Sequence, residues 1–77
     1  MVTVEDCVTQ MEHDDPKLTV VSVKDYGSDF LVTYSYEGVD ELPDPFCLIN
    51  KSTGKVEAYT IAEDPDRYYS AKELLKR

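Results

Sequence analysis

The stretch from residue 45 to residue 61 constrains the fold of this chain more than any other. Phe46 to Ile49 form a continuous apolar run, typical of a strand that is covered on both faces or lies inside a sheet. Residues 55–61 alternate between two faces, as a half-buried strand does. Between the two runs, the Asn50 side chain can accept hydrogen bonds from the backbone ahead of it, and Gly54 can adopt a positive φ. The sequence therefore predicts a β-hairpin over residues 46–61, in the middle of a sheet.

The residues before this hairpin predict one helix and a second hairpin. Apolar residues at helical spacing follow Thr3, and Asp15-Pro16 ends the pattern, so we expect a helix over about residues 3–14. Residues 18–26 are rich in β-branched side chains and predict a strand. Gly27-Ser28 suits a two-residue turn, and a second strand is expected over residues 29–36.

The residues after the hairpin predict a C-terminal helix over about residues 65–76. Asp64-Pro65 has the chemistry of a helix start, and apolar residues from Tyr68 to Leu75 follow at helical spacing. The length of 77 residues allows one domain, residues 1–77. The predicted fold class is α+β: a helix, a four-stranded antiparallel meander and a second helix, with both helices on the sheet.

The formal charge of −8 is unevenly distributed. Residues 1–16 hold five acidic residues and residues 25–44 hold six, with no lysine or arginine in either segment. Such a balance argues against direct binding to nucleic acid or to an anionic membrane, and favours a protein partner with a basic surface. No apolar run is long enough to span a membrane and the N-terminus lacks signal-peptide features, so we expect a cytoplasmic protein.

Few residues offer catalytic or metal-binding chemistry. His13 is the only histidine, and neither it nor the two cysteines lie in a ligand or nucleophile motif. We therefore expect no catalytic residue, no metal site and no cofactor, and interpret the chain as a protein other than an enzyme. Cys7 and Cys47 each lie within an apolar pattern, which predicts two reduced core thiols. The alternative is a disulfide between the first helix and the hairpin.

The predicted contact residues lie in an acidic loop and among the tyrosines. Residues 37–44 hold four acidic residues and two apolar ones between predicted strands, and the chain has six tyrosines. Exposed aromatic side chains beside acidic ones suit a protein interface. A solvated loop and core tyrosines are the simpler interpretation. The candidate contact residues are Glu37, Val39, Asp40, Glu41, Leu42, Asp44, Tyr34, Tyr36 and Tyr69.

The hairpin also resembles that of a known family. Pro45 followed by an apolar run, then Asn50-Lys51, Thr53-Gly54 and Val56, is similar to the hairpin of YrhB-like immunity proteins of bacterial toxin systems and of small phage and prophage proteins. Asp44-Pro45 stands where that family has a glycine-rich approach and an aromatic residue. The resemblance implies a cytosolic protein that binds and neutralises another protein.

Three functional hypotheses follow. The first is a small acidic protein-binding module of bacterial or phage origin, similar to an immunity protein or an inhibitor, that recognises a basic partner. The second is an acidic mimic of nucleic acid that blocks a nuclease or a DNA-binding protein. The third is a structural protein that forms homo-oligomers, a homodimer in the simplest case, through an exposed edge strand.

Overall fold

A computed structural model describes residues 1–39 and 44–77. These residues form an N-terminal helix, a five-stranded antiparallel sheet, and a short second helix before the last strand. The strand order across the sheet is β4-β3-β2-β1-β5. The elements are α1 (Val4–Asp14), β1 (Leu18–Tyr26), β2 (Asp29–Tyr36), β3 (Phe46–Asn50), β4 (Val56–Ala58), a 3₁₀ helix (Ile61–Glu63), α2 (Pro65–Ser70) and β5 (Glu73–Lys76).

Helix α1 begins with a reciprocal capping arrangement. The Thr3 hydroxyl accepts a hydrogen bond from the Asp6 backbone N–H, and the Asp6 carboxylate accepts one from the Thr3 N–H. The helix ends at Asp14, because Asp15 precedes a proline and adopts an extended conformation. The helix predicted over residues 3–14 is thereby confirmed.

Strands β1 and β2 form the predicted hairpin, with the predicted bounds. Gly27 adopts a φ of +70°, which allows the two-residue turn. The pairing shifts between Val20 and Ser22, where β1 bulges by one residue. Val20 and Val23 consequently lie on the same face of the sheet, although their spacing of three would place them on opposite faces of a regular strand.

The hairpin of β3 and β4 is also confirmed, together with its turn. The Asn50 carboxamide oxygen accepts hydrogen bonds from the N–H groups of Ser52 and Thr53, both at 2.9 Å, and Gly54 has a φ of +76°. The predicted length of the second strand of this hairpin and the predicted position of the hairpin in the sheet were wrong. Strand β4 ends at Ala58, because Thr60 caps a 3₁₀ helix, and the hairpin lies at one side of the sheet, with β2 in the middle.

The C-terminal helix predicted over residues 65–76 was wrong beyond Ser70. Ala71 turns extended, and the chain then pairs antiparallel with β1 as a fifth strand, so the predicted four-stranded meander was incomplete. The free edge of β1 explains the difference. Lys72 accepts a hydrogen bond from the Asp25 N–H at 2.8 Å, and Arg77 donates one to Val21 at 2.9 Å. Leu75 packs against the core from this strand.

The two faces of the sheet are covered differently. Helix α1 covers one face, which we call the α1 face; its buried residues are Cys7, Val8, Leu18, Val20, Val23, Phe30, Val32, Cys47 and Ile49. On the opposite face, the α2 face, Tyr26 and Leu31 are buried and the side chains of α2 pack nearby. No helix in the described part of the chain is long and apolar enough to cross a membrane.

Both cysteines lie in the core of the α1 face, as free and buried thiols. The Cys47 Sγ atom is 3.7 Å from the Met11 sulfur. Burial raises the pKa of each thiol to about 11. The prediction of two reduced core thiols is confirmed, and the alternative disulfide is not formed.

Candidate protein-contact surface

Two basic side chains cover aromatic rings on the α2 face. The Lys24 ammonium lies 3.9 Å from the centre of the Tyr68 ring and donates a hydrogen bond of 2.9 Å to the Tyr68 carbonyl. The Arg67 guanidinium lies 4.2 Å from the centre of the Tyr26 ring and donates to the Tyr26 carbonyl at 3.0 Å. The ring of Phe46 meets that of Tyr68 edge-on at 5.6 Å. These cations therefore serve to hold α2 on the sheet.

Three further basic side chains make ion pairs within the molecule. Lys51 lies 2.7 Å from Asp25, and this hydrogen bond lowers the pKa of the Asp25 carboxyl. Arg77 lies 2.9 Å from Glu12, and Lys55 lies 3.3 Å from Glu57. Five of the eight lysines and arginines thus have internal contacts.

Many acidic side chains lack such partners. Seven carboxylates make neither an ion pair nor a side-chain hydrogen bond with another described residue: Glu5, Asp29, Glu37, Asp44, Glu63, Asp66 and Glu73. Since most basic groups are engaged elsewhere, the negative charge at these positions is exposed to solvent and to any partner.

Two of these acidic residues, Asp44 and Glu63, line the same shallow depression. It has a volume of about 270 Å³ and lies beside the end of β4; its lining residues are Asp44, Ala58, Tyr59, Thr60 and Glu63. The Tyr59 ring packs edge-on against Tyr26 at 5.6 Å, and the two hydroxyl groups are 3.4 Å apart. The depression, which we call the Asp44–Glu63 pocket, thus combines two carboxylates with an aromatic wall that is fixed by the fold. A lysine or arginine side chain fits this chemistry.

Of the residues that line this pocket, the sequence predicts only Asp44 as a contact residue. Glu63 is brought into it by the turn of the chain after β4, where the Thr60 hydroxyl accepts a hydrogen bond from the Ala62 N–H. The pattern Thr60-Ile61-Ala62-Glu63 has the form of a helix-capping box and could have indicated that turn. The alternation of residues 55–61 instead predicts a strand up to Ile61.

The structure locates part of the predicted acidic loop. Glu37 and Val39 are exposed, Val39 to 44%, and the Glu37 N–H donates a hydrogen bond to the Lys17 carbonyl at 2.9 Å. Asp44 lies in the Asp44–Glu63 pocket. Three predicted contact residues lie outside the described residues: Asp40, Glu41 and Leu42.

The three predicted contact tyrosines lie on different faces. Tyr34 and Tyr36 are half-buried against the core of the α1 face, where burial raises the pKa of Tyr34. Tyr69 is 74% exposed and stands beside Tyr68, which packs on the α2 face. The structure therefore does not bring the three together, and Tyr69 is the one most available to a partner.

The single histidine of the chain lies apart from the Asp44–Glu63 pocket. His13 is exposed and lies 3.7 Å from Asp14, with its side chain 87% accessible. Within residues 1–39 and 44–77, no three histidine, cysteine or acidic side chains converge as metal ligands. The arrangement described here can bind a basic group through charge and aromatic contact.

Comparisons with known proteins assign this chain to no family. Neither the models of protein families, nor curated proteins, nor solved structures give a match. Its function therefore has to be inferred from its own residues and contacts.

Proposed function

We propose that this chain is a small, acidic, non-catalytic protein-binding module that recognises a basic surface on its partner. The observation that carries the proposal is the division of the charges. Five of the eight basic side chains are engaged within the molecule, whereas seven carboxylates have no described partner. A basic protein surface approaching such a field is attracted and oriented before contact.

The Asp44–Glu63 pocket is the centre of the proposed contact surface. It lies where the acidic connection of residues 37–44 returns to the sheet, beside Tyr59 and Ala58. A carboxylate pair next to an aromatic wall suits one lysine or arginine of the partner. The exposed residues Glu37 and Val39 lie on the same connection and would extend the contact.

The hairpin of residues 45–56 supports a more specific proposal about the class of protein. Its similarity to YrhB-like immunity proteins favours a cytoplasmic protein of bacterial or phage origin that binds and inhibits another protein. The residues that carry this similarity include Asn50 and Gly54, which close the turn of this hairpin. The two other hypotheses, a nucleic-acid mimic and a homo-oligomeric structural protein, remain predictions.

The proposal can be tested by removing the charge of the pocket. The double variant Asp44→Asn/Glu63→Gln keeps the size of both side chains, and Glu5→Gln/Glu73→Gln removes two unpaired carboxylates elsewhere. Each immobilised protein is exposed to a bacterial lysate at low and high salt, and the retained proteins are identified by mass spectrometry. We expect a basic protein that is retained at low salt by the unmodified chain and the control variant.

The same protein should be lost at high salt and on the pocket variant. If no protein is retained, or if retention is indifferent to both salt and the pocket substitutions, the proposal is wrong. Sizing chromatography at two concentrations separately tests the homo-oligomeric alternative.

A further inference from the structure

Strand β4 has a free edge whose geometry follows from the hydrogen bonds of its hairpin. Asn50 donates to Lys55 at 2.9 Å, and Tyr59 donates to Phe46 at 3.3 Å. In an antiparallel pair, residues alternate between bonding the neighbouring strand and pointing away from it. Glu57, opposite Leu48, therefore bonds β3, while the N–H and C=O groups of Val56 and Ala58 point outward.

These outward groups have no partner among the described residues. No hydrogen bond within residues 1–39 and 44–77, from backbone or side chain, involves the main chain of Val56 or Ala58 at this edge. All three residues of β4 are exposed, and Val56 is 47% accessible. An unpaired strand edge of this kind is a template for another strand.

The side chains of β4 define what could pair with it. Val56 and Ala58 lie opposite Ile49 and Cys47 and share the α1 face with them, whereas Glu57 lies on the other face. A strand added to this edge would place small apolar residues beside Val56 and Ala58 and a basic residue beside Glu57, whose carboxylate it would share with Lys55. Its end would pass Ala58 and reach the Asp44–Glu63 pocket.

We propose that β4 receives an extended, basic segment of the partner protein as a sixth strand of the sheet. This inference rests on the proposed function and specifies how the partner is held. The charge around the two sheet edges decides between them. Strand β5, at the other edge, carries Glu73 and Lys76 and is flanked by Lys72 and Arg77, so its net charge is positive and repels a basic segment. Strand β4 carries Glu57, which pairs with Lys55, and ends beside Asp44 and Glu63, so the net charge there is negative. A second copy of this chain, with its own charge of −8, is also a poor occupant.

Proline substitutions can test the two edges of the sheet, and Ala58→Pro does so at β4 without changing the charge of the protein. Ala58→Pro removes an outward N–H while leaving the hydrogen bonds between β3 and β4 intact, because Ala58 does not bond β3. Lys76→Pro is the control on β5: Arg77 donates to Val21, so the neighbouring Lys76 N–H points outward there. It also removes one positive charge, a change that does not weaken the attraction of a basic peptide. Thermal unfolding of both variants establishes that each retains its fold.

The binding probe is a blocked peptide of on the order of eight residues, a common strand length, in which lysine alternates with valine. Its affinity is measured by fluorescence anisotropy. We expect Ala58→Pro to weaken binding about tenfold and Lys76→Pro to leave it unchanged, since the loss of a backbone hydrogen bond and the proline ring both act at β4. Equal binding by Ala58→Pro and the unmodified protein would overturn the inference.

Methylated peptides provide a second test on the unmodified protein, which holds even if Ala58→Pro fails to fold. In antiparallel addition, the valines lie opposite Val56 and Ala58 and their N–H groups point at β4, while the lysine N–H groups point away. N-methylation of the valines should therefore abolish binding, and N-methylation of the lysines should be tolerated. If both peptides bind equally, strand addition is wrong.

The outcomes of these experiments distinguish a failure of strand addition from a failure of the proposed function. If Asp44→Asn/Glu63→Gln weakens peptide binding while Ala58→Pro and valine methylation do not, the acidic surface acts without strand addition. If none of these changes weakens binding, both proposals are wrong.

Discussion

The two faces of the sheet reach a packed state by different chemistry. The α1 face has an eleven-residue helix and a core of aliphatic residues, thiols and a phenylalanine. The α2 face has a helix of six residues, whose Arg67 and Tyr68 pack through cation–aromatic contacts. A short helix offers little apolar area, so charged side chains over aromatic rings replace aliphatic packing.

This difference has a consequence for the surface. Lys24 and Arg67 are held on the α2 face and cannot neutralise carboxylates elsewhere. The stability of one face and the exposed negative charge of the molecule are therefore connected. Substitutions and pH titrations on each face measure how far its stability depends on aliphatic burial, on the thiols or on charged contacts.

The largest effect is expected in the aliphatic core of the α1 face. Ile49 is fully buried in β3, and Ile49→Ala should lower the free energy of unfolding by about 3 kcal/mol through lost burial and a residual cavity. Urea unfolding at neutral pH measures this decrease in the free energy of unfolding. Val56→Ala, in the same hairpin but with a side chain that is 47% exposed, is the control and should change stability by less than about 0.5 kcal/mol. Similar losses in the two variants would contradict the assignment of inside and outside.

The second effect concerns the thiols of the α1 face at high pH. The pKa of Cys7 and of Cys47 is raised from 9.0 to about 11 in the folded chain, chiefly by burial. As the pH rises, the thiols ionise in the unfolded chain before they ionise in the folded chain. Their contribution to the free energy of unfolding is therefore complete below the unfolded pKa and is lost as the pH rises toward 11. We expect a loss of about 1.4 kcal/mol per thiol near pH 10.

Urea unfolding between pH 7 and pH 10.5 tests this dependence. Burial also raises the pKa of Tyr26 and Tyr34, so the comparison is with Cys47→Ala, which retains both tyrosines. The variant should lose less stability over this range than the unmodified protein. If the free energy of unfolding falls equally with pH in the two proteins, the Cys47 thiol ionises equally in the folded and unfolded states.

The third effect tests the cation–aromatic packing of the α2 face. Lys24→Met retains the aliphatic stem but removes the ammonium group that contacts the Tyr68 ring and carbonyl. We expect a loss of about 1 kcal/mol in urea unfolding. Lys72→Met removes an exposed ammonium and should cost less than about 0.5 kcal/mol. If the two substitutions have the same effect, the α2 face does not depend on this contact.

The smallest effect is expected at the rim of the sheet, where Lys51 pairs with Asp25. The hydrogen bond from Lys51 lowers the pKa of Asp25, so this pair stabilises the fold above the ordinary carboxyl pKa and less as the pH falls through the folded value. Lys51→Met should return the Asp25 pKa toward its ordinary range in an NMR titration. Lys55→Met, which removes the partner of Glu57 instead, should leave Asp25 unchanged.

Local signals in the sequence determined much of the fold. Thr3 and Asp15-Pro16 mark the ends of α1, and Gly27 and Gly54 mark two turns that the structure closes with positive φ. These features are predictable because caps, prolines and turn glycines act on the backbone within a few residues. Asp44 was also selected for the candidate site, because it belongs to a visibly acidic connection.

Tertiary structure alone decided the C-terminus and the composition of the pocket. The spacing from Tyr68 to Leu75 is compatible with a helix, but the unpaired edge of β1 offers backbone hydrogen bonds that an isolated sequence pattern does not contain. The Asp44–Glu63 pocket likewise joins residues nineteen positions apart, which only the pairing of β3 with β4 brings together. Caps and turns are local interactions, whereas a strand partner and a pocket wall depend on which segments meet in space.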